Sequence, residues 1–173
     1  EKKINFMGEV LTQYYGISSS DTLMYPYYAL AEKYNIPVGL HTGSAGPDHG
    51  CPDFKEEMGN PLLLQSTLNK FPKLRVWLMH AGAPFVKEFI EMMKANPGLY
   101  ADISVLNNPV IIPPADFSSL MKSFIDAGLE DRLMFGTDNA DIETTTKAIE
   151  QLEFVSAKQK EKLFFKNAER FFH

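Results

Sequence analysis

The sequence predicts an α/β fold built from repeated strand–helix units on a parallel sheet, and three observations carry that expectation. Short apolar runs recur at 4–11, 37–43, 74–82, 99–104 and 133–138, too short for buried helices and too continuously apolar for strands with one wet face. Segments with helical spacing separate them. The runs start 33, 37, 25 and 34 residues apart, which is the period of a βα unit and not of an all-β meander.

Taken in order, the first run holds Ile4, Phe6, Met7, Val10 and Leu11. After it, Asp21 follows Ser18-Ser19-Ser20 in the position of an N-cap, and Leu23, Tyr27, Leu30, Ala31 and Tyr34 recur at helical intervals. The second run ends in Gly39-Leu40-His41-Thr42-Gly43. Leu62, Leu63, Ser66, Leu68 and Phe71 continue a helical pattern that Pro72 stops. The third run places Trp77 mid-strand, a core position, and ends in Leu78-Met79-His80-Ala81-Gly82. Helices at 85–95 and 117–127 flank the fourth run, the second of them closed by Gly128. Two more, at 141–152 and 157–172, follow the fifth. Five such units suit either an open doubly wound sheet or a stretch of a (β/α)₈ barrel. An open sheet normally carries a Gly-rich phosphate turn; neither G-x-G-x-x-G nor G-x-x-x-x-G-K-[ST] follows any strand here, which favours the barrel. No linker or low-complexity segment interrupts residues 1–173, which read as one domain.

Composition narrows the function. The chain has 17 Lys and Arg against 22 Asp and Glu, a formal charge of −5, and 45% apolar residues. This is the composition of a soluble globular unit with no basic stripe for phosphates, so neither nucleic acid nor a membrane surface is an expected partner. A small-molecule substrate is the default, with a homo-oligomer left open. No run approaches the roughly 20 apolar residues of a membrane span, and Glu1-Lys2-Lys3 does not lead into a signal peptide. The single cysteine, Cys51, excludes an internal disulfide and fits a reducing, cytoplasmic compartment.

The functional signal lies where the polar residues fall. Glu9, His41, His80 and Asp138 each close an apolar run, and in a parallel α/β fold the C-terminal ends of all strands open on the face where active sites are built. Taken singly, each has a plain reading: Glu9 as an ion pair, each histidine as a satisfied polar residue, Asp138 as a helix N-cap. Taken together, two imidazoles and a carboxylate are a zinc-type ligand set, with Mn²⁺ or Fe²⁺ as alternatives. Such a cation lowers the pKa of bound water to about 7. An Asp beside that water acts as general base and returns the proton to the leaving group. A carboxylate buried after Leu133-Met134-Phe135 needs a cation or strong donors to receive it. Residues 44–59, with His49 and Cys51, form a candidate substrate loop, His49 being a weaker ligand candidate. Asn107-Asn108-Pro109 could reach substrate from the loop after the fourth run.

At these residues the chain resembles the amidohydrolase superfamily, specifically its amidohydrolase-2 branch of metal-dependent hydrolases related to aminocarboxymuconate-semialdehyde decarboxylase. The matching stretches are Gly8-Glu9-Val10, Ile36-Pro37-Val38-Gly39-Leu40-His41-Thr42-Gly43, Leu78-Met79-His80-Ala81-Gly82, Tyr100-Ala101-Asp102-Ile103-Ser104, Arg132-Leu133-Met134-Phe135-Gly136-Thr137-Asp138 and Lys166-Asn167-Ala168-Glu169-Arg170-Phe171-Phe172. The resemblance implies the C-terminal portion of a TIM-type (β/α)₈ barrel, about five βα units. It implies that His41 is the fifth-strand metal ligand, His80 the sixth-strand histidine, both ligand and catalytic group, and Asp138 the eighth-strand ligand and base. Glu9 falls at the end of strand four, where relatives carry a carboxylate or modified lysine that can bridge two metals; relatives of this branch often hold one zinc, and in that case the resemblance implies that Glu9 contacts substrate or the ligand histidines instead. The family's first-strand His-x-His is not in these residues. A barrel of about 250 residues would have three further units, about 100 residues, upstream of Glu1, and they are expected to carry that motif.

The activity expected is metal-dependent hydrolysis of a C–N or C–O bond (amide, lactone or ester) in a small organic molecule. Non-oxidative decarboxylation of an unsaturated or aromatic acid is the alternative, and an incomplete, non-catalytic barrel segment a further one. Arg75 and Arg132 precede their strands and Arg170 is near the C-terminus, so none is placed to clamp a substrate carboxylate, which favours hydrolysis.

Overall fold

A computed structural model of the chain, describing residues 4–46 and 50–173, contains each of the five expected strands, every one shorter than the apolar run that announced it. The chain forms two compact units, Glu1–Leu99 and Tyr100–His173. Among the described residues no helix is long and apolar enough to cross a membrane.

The first unit runs β1 (Met7–Val10), α1 (Tyr25–Lys33), β2 (Val38–His41), α2 (Gln65–Lys70), β3 (Val76–Met79) and α3 (Val86–Ala95). β1 pairs with β2 and β2 with β3, all parallel, and β2 and β3 run in continuous register from Val38 opposite Val76 to His41 opposite Met79. Val38, Leu40, Val76 and Leu78 are all but inaccessible, as continuous apolar strands covered on both faces must be. Phe89, Met92 and Met93 of α3 and Tyr28 and Ala31 of α1 supply helical core. Gly39 is glycine for a steric reason: a Cβ there would stand 2.4 Å from Cζ2 of Trp77, the buried strand residue opposite it.

Asp21 caps as expected, accepting from the Leu23 amide at 2.9 Å and opening a short 3-10 turn that leads into α1. The helical spacing of Leu23, Tyr27, Leu30 and Tyr34 describes an exposed stripe, because the inward face of α1 is set by Tyr28 and Ala31. Tyr28 can be buried because its hydroxyl donates to the Ser19 carbonyl at 2.8 Å. The pattern expected as one helix over 62–71 is a 3-10 turn, Pro61–Leu64, capped by Asn60, followed by α2.

The second unit runs β4 (Tyr100–Asp102), α4 (Pro114–Asp126), β5 (Leu133–Met134), α5 (Ile142–Glu150), α6 (Ala157–Glu161), a π segment (Lys162–Lys166) and α7 (Asn167–Phe172). β4 and β5 are parallel, Ala101 opposite Leu133 and Asp102 opposite Met134. Helix α4 starts three residues before the expected position because Pro114 sits at its first position, where a missing N–H costs nothing. Its Phe117, Met121 and Phe124, at i, i+4 and i+7, form the buried stripe, and Gly128, at φ +76°, closes it. Asp141 caps α5, and a Ser156–Gln159 capping box starts α6.

The helix expected unbroken over 157–172 carries the π segment, where the ladder slips by one residue. The Leu163 carbonyl accepts from the Phe135 amide at 2.7 Å, which draws residue 135 out of the sheet and leaves β5 two residues long. The buried Asn167 amide donates to the carbonyls of Glu130 and Leu133 at 2.8 and 2.7 Å, fastening α7 to β5. Asn167, seen in the sequence only as part of a terminal motif, is thus a structural tie.

Candidate metal centre

Three of the four strand-end residues meet in the first unit. β1 and β2 pair at Met7 with Val38 and at Val10 with Leu40, three residues against two, so β1 carries a bulge at Gly8-Glu9. A bulge of this kind re-aims a side chain, here the Glu9 carboxylate. His41 is the last residue of β2. His80 lies one residue beyond β3, at φ +62°, a left-handed conformation that a non-glycine residue holds only when its surroundings enforce it.

One oxygen, Glu9 Oε1, is shared by both imidazoles: it hydrogen-bonds Nδ1 of His41 and, at 3.0 Å, Nε2 of His80. The two rings stand edge to face with centroids 4.4 Å apart. One ligand atom from each of the three residues lies within 4.8 Å of the others. The histidine side chains are 8% and 7% exposed and that of Glu9 28%, so the cluster opens to solvent on the Glu9 side. The paired imidazoles, His41 first and His80 second, lower the Glu9 carboxyl from 4.5 to about 2.

The hydrogen-bond chemistry of His41 decides what this cluster requires. Its Nε2 faces the Ser44 carbonyl at 2.9 Å, an acceptor only, so Nε2 carries a proton. In a neutral imidazole Nδ1 is then a lone pair, yet it faces a carboxylate oxygen. Two lone pairs in contact repel unless positive charge lies between them, as a proton or as a metal ion. The donor set, two imidazole nitrogens and a carboxylate, suits a borderline divalent cation, and the Ser44 carbonyl is the kind of partner that fixes a ligating histidine. The residues therefore fit a metal.

Supporting contacts that the sequence did not disclose hold the pair in place. Thr42 Oγ1 donates to the Met79 carbonyl at 2.6 Å, tying the residue after His41 to the residue before His80. Tyr14 packs its ring edge-on to His41, centroids 5.3 Å apart, and also to Phe54 from the 44–59 loop. Ser44 Oγ donates to Glu56 at 2.7 Å within that loop. His49 lies outside the described residues.

In the second unit, Asp138 follows β5 on a turn at φ +51° and is exposed, so the burial cost expected for it does not arise. Asp102, the last residue of β4, is the buried carboxylate instead. Its Oδ1 accepts from the Ser104 amide at 3.1 Å and the Ser104 hydroxyl at 2.5 Å. The signal that marked the other candidates, a polar residue closing an apolar run, was present at Asp102 too. Of Asn107-Asn108-Pro109, a stretch that the sequence allows to reach substrate, Asn107 is fully buried. A cavity of about 510 Å³ between α4 and α5 is lined by Leu106, Phe117, Lys147 and Leu152 among others, and by none of the four strand-end candidates.

Comparison with known proteins places this parallel α/β fold in a family. A family model described as an amidohydrolase, Amidohydro_2, matches residues 9–173, and the chain belongs to this family. Among solved structures it is similar to an uncharacterized TIM-barrel protein from Bordetella bronchiseptica, with 29% identity, a TM-score of 0.70, and coverage of 90% of this chain and 52% of that one. An amidohydrolase from Burkholderia multivorans with bound zinc gives 15% identity and a TM-score of 0.70, covering 94% of this chain and 63% of that one. A 5-carboxyvanillate decarboxylase from Novosphingobium aromaticivorans, complexed with manganese, gives 16% identity and a TM-score of 0.63, covering 91% and 53%. No curated protein matches. The chain thus has the TIM-barrel α/β fold and spans between 52% and 63% of the length of these structures.

Proposed function

We propose that the chain carries the catalytic face of a metal-dependent hydrolase that cleaves a C–N or C–O bond (amide, lactone or ester) of a small organic molecule. Glu9, His41 and His80 hold the cation, and Asp138, for which the family resemblance implies the part of ligand and base, is the proton carrier. The observation that supports this most is the shared Glu9 oxygen: His41 presents both ring nitrogens to acceptors and shares one acceptor with His80, an arrangement that needs positive charge at its centre, which a divalent cation would supply. When bound, Zn²⁺, or Mn²⁺ or Fe²⁺ in its place, supplies Lewis acidity and brings the pKa of water down to about 7.

The residues of the chain do the rest. The Ser44 carbonyl orients the His41 ring, and Glu9 supplies the carboxylate oxygen that both imidazoles face. Asp138, at a strand end and in an exposed turn, takes the proton and returns it to the departing nitrogen or oxygen. Likeness to a manganese-bound decarboxylase supports decarboxylation as a second reading. Arg75 and Arg132 immediately precede β3 and β5, at the ends opposite the candidate residues, which leaves a substrate carboxylate without either as its clamp and favours hydrolysis.

The test uses the full-length polypeptide loaded with Zn²⁺ and two panels: lactones, amides and esters followed for acid release, and aromatic and unsaturated acids followed for CO₂. Acid release is expected, with Asp138→Asn lowering kcat by about 10² or more. CO₂ release alone would establish the decarboxylase reading. Inactivity together with failure to bind metal would establish a non-catalytic segment.

A further inference from the structure

We propose that Asn107 is the positioning residue for Asp138: its buried amide holds the carbonyl of Gly136 and thereby sets the direction in which the chain leaves β5. The inference rests on the reading of Asp138 as proton carrier. Asp138 is exposed and left-handed, a conformation that costs an L residue energy and persists only where neighbouring anchors impose it.

Those anchors lie on either side of it. Downstream, the Ala140 amide donates to the Thr137 carbonyl at 3.0 Å, and Asp141 is committed to capping α5 through the Thr144 amide at 2.7 Å. Upstream, the anchor is Asn107. Its Nδ2 donates to the Gly136 carbonyl at 2.9 Å, two residues before Asp138. Gly136 is pressed onto β4 at the same point: a Cβ there would come within 3.0 Å of Ser104 Cβ and 3.5 Å of Asp102 Cβ and Cγ. That floor is itself rigid, because Asp102 Oδ1 accepts from both the amide and the hydroxyl of Ser104.

The other end of the Asn107 amide shows what the residue is for. Its Oδ1 is buried with no hydrogen-bond partner, although the residue is fully enclosed. A side chain serving only to fill this space would do better as leucine, which buries no orphaned acceptor. What asparagine adds is the single donor to Gly136.

The test compares Asn107→Leu, Gly136→Ala and Asp138→Asn in the full-length, Zn²⁺-loaded polypeptide, with p-nitrophenyl acetate as ester probe and crystal structures of the first two variants. Asn107→Leu should keep its zinc and stay within about 3 °C of the wild-type Tm, since the lost hydrogen bond is offset by removal of the orphaned acceptor. It should shift the Asp138 carboxylate by about 1 Å and lower kcat on the order of 10²-fold, with KM changed less than about threefold. A purely structural residue would not split kcat from KM in this way. An unmoved Asp138 or an unchanged kcat in Asn107→Leu overturns the proposal. Should that variant not fold, Gly136→Ala, which lifts the turn off Ser104 with Asn107 intact, must show the same loss of kcat, and full kcat there overturns it equally. Full kcat in Asp138→Asn removes the proton-carrier reading and this inference with it; loss in Asp138→Asn beside full kcat in Asn107→Leu refutes this inference alone.

Discussion

Gly39→Ala probes the seating of β2, the strand that ends in His41. The new Cβ would lie 2.4 Å from Cζ2 and 2.7 Å from Cε2 and Cη2 of Trp77. Carbon atoms in contact prefer about 3.5–4.0 Å, so the indole must retreat by about 1 Å or β2 must bow away from β3. Neither is free: Trp77 is only 7% exposed and lies edge-on to Phe6 with centroids 6.0 Å apart. Overpacking of this kind costs about 1–3 kcal/mol, which for a chain of this size is a fall in Tm of about 2–12 °C. Trp77 is the only tryptophan, so its emission reports the displacement directly, beside thermal unfolding followed by circular dichroism. In a Trp77→Leu background the same substitution should cost at least about 1 kcal/mol less, because the clashing ring is gone. A Tm within about 1 °C of wild type with unchanged emission, or an equal cost in both backgrounds, would refute the steric reasoning.

Thr42→Val keeps shape but deprives the Met79 carbonyl of its 2.6 Å donor; it should cost about 1–3 kcal/mol in chemical denaturation and weaken Zn²⁺ binding about 10–100-fold by loosening the His41–His80 spacing. Glu9→Gln should also weaken Zn²⁺ binding at least about tenfold in competition titrations, and unchanged affinity would remove Glu9 from the ligand set. In the metal-free protein Glu9 has its carboxyl lowered from 4.5 to about 2 by the imidazoles, so its stabilising contribution is complete above pH 4.5 and is lost as pH falls towards 2. The stability gap between wild type and Glu9→Gln should close across that window, and a gap that persists at pH 2 would contradict the pairing. Asp141→Ala removes the cap of α5 and should cost about 0.5–2 kcal/mol, read as Tm.

Strands β2 to β5 and their ends were legible because burial on both faces imposes a composition that a short window reveals, and because His41 and His80 interrupt it; β1 was read from the same apolar pattern, yet Gly8 and Glu9 are exposed and Met7 and Val10 only half-buried. Helix positions followed from the cap Asp21 and from the stops at Pro72 and Gly128, whereas the start of α4 at Pro114 was read three residues late. The exposed stripe of α1 was not separable from its buried face by periodicity, since apolar and aromatic residues occupy both. The π segment was invisible because its cause is tertiary, the Phe135 amide reaching the Leu163 carbonyl. The same holds for Thr42, Asn107 and Asn167, whose roles are hydrogen bonds to carbonyls 37, 29, and 34 and 37 residues away. A polar residue's type reveals its donors, and only the fold reveals the carbonyls they meet. Asp102 was the legible residue passed over.

The central claim, that Glu9, His41 and His80 hold a cation, is tested most directly by elemental analysis of the full-length protein beside its His41→Ala and His80→Ala variants after dialysis against a weak chelator. Zinc, or manganese or iron in its place, retained by the wild type and lost from both variants while their circular dichroism stays native is the expected result. Metal content unchanged by both substitutions would contradict it.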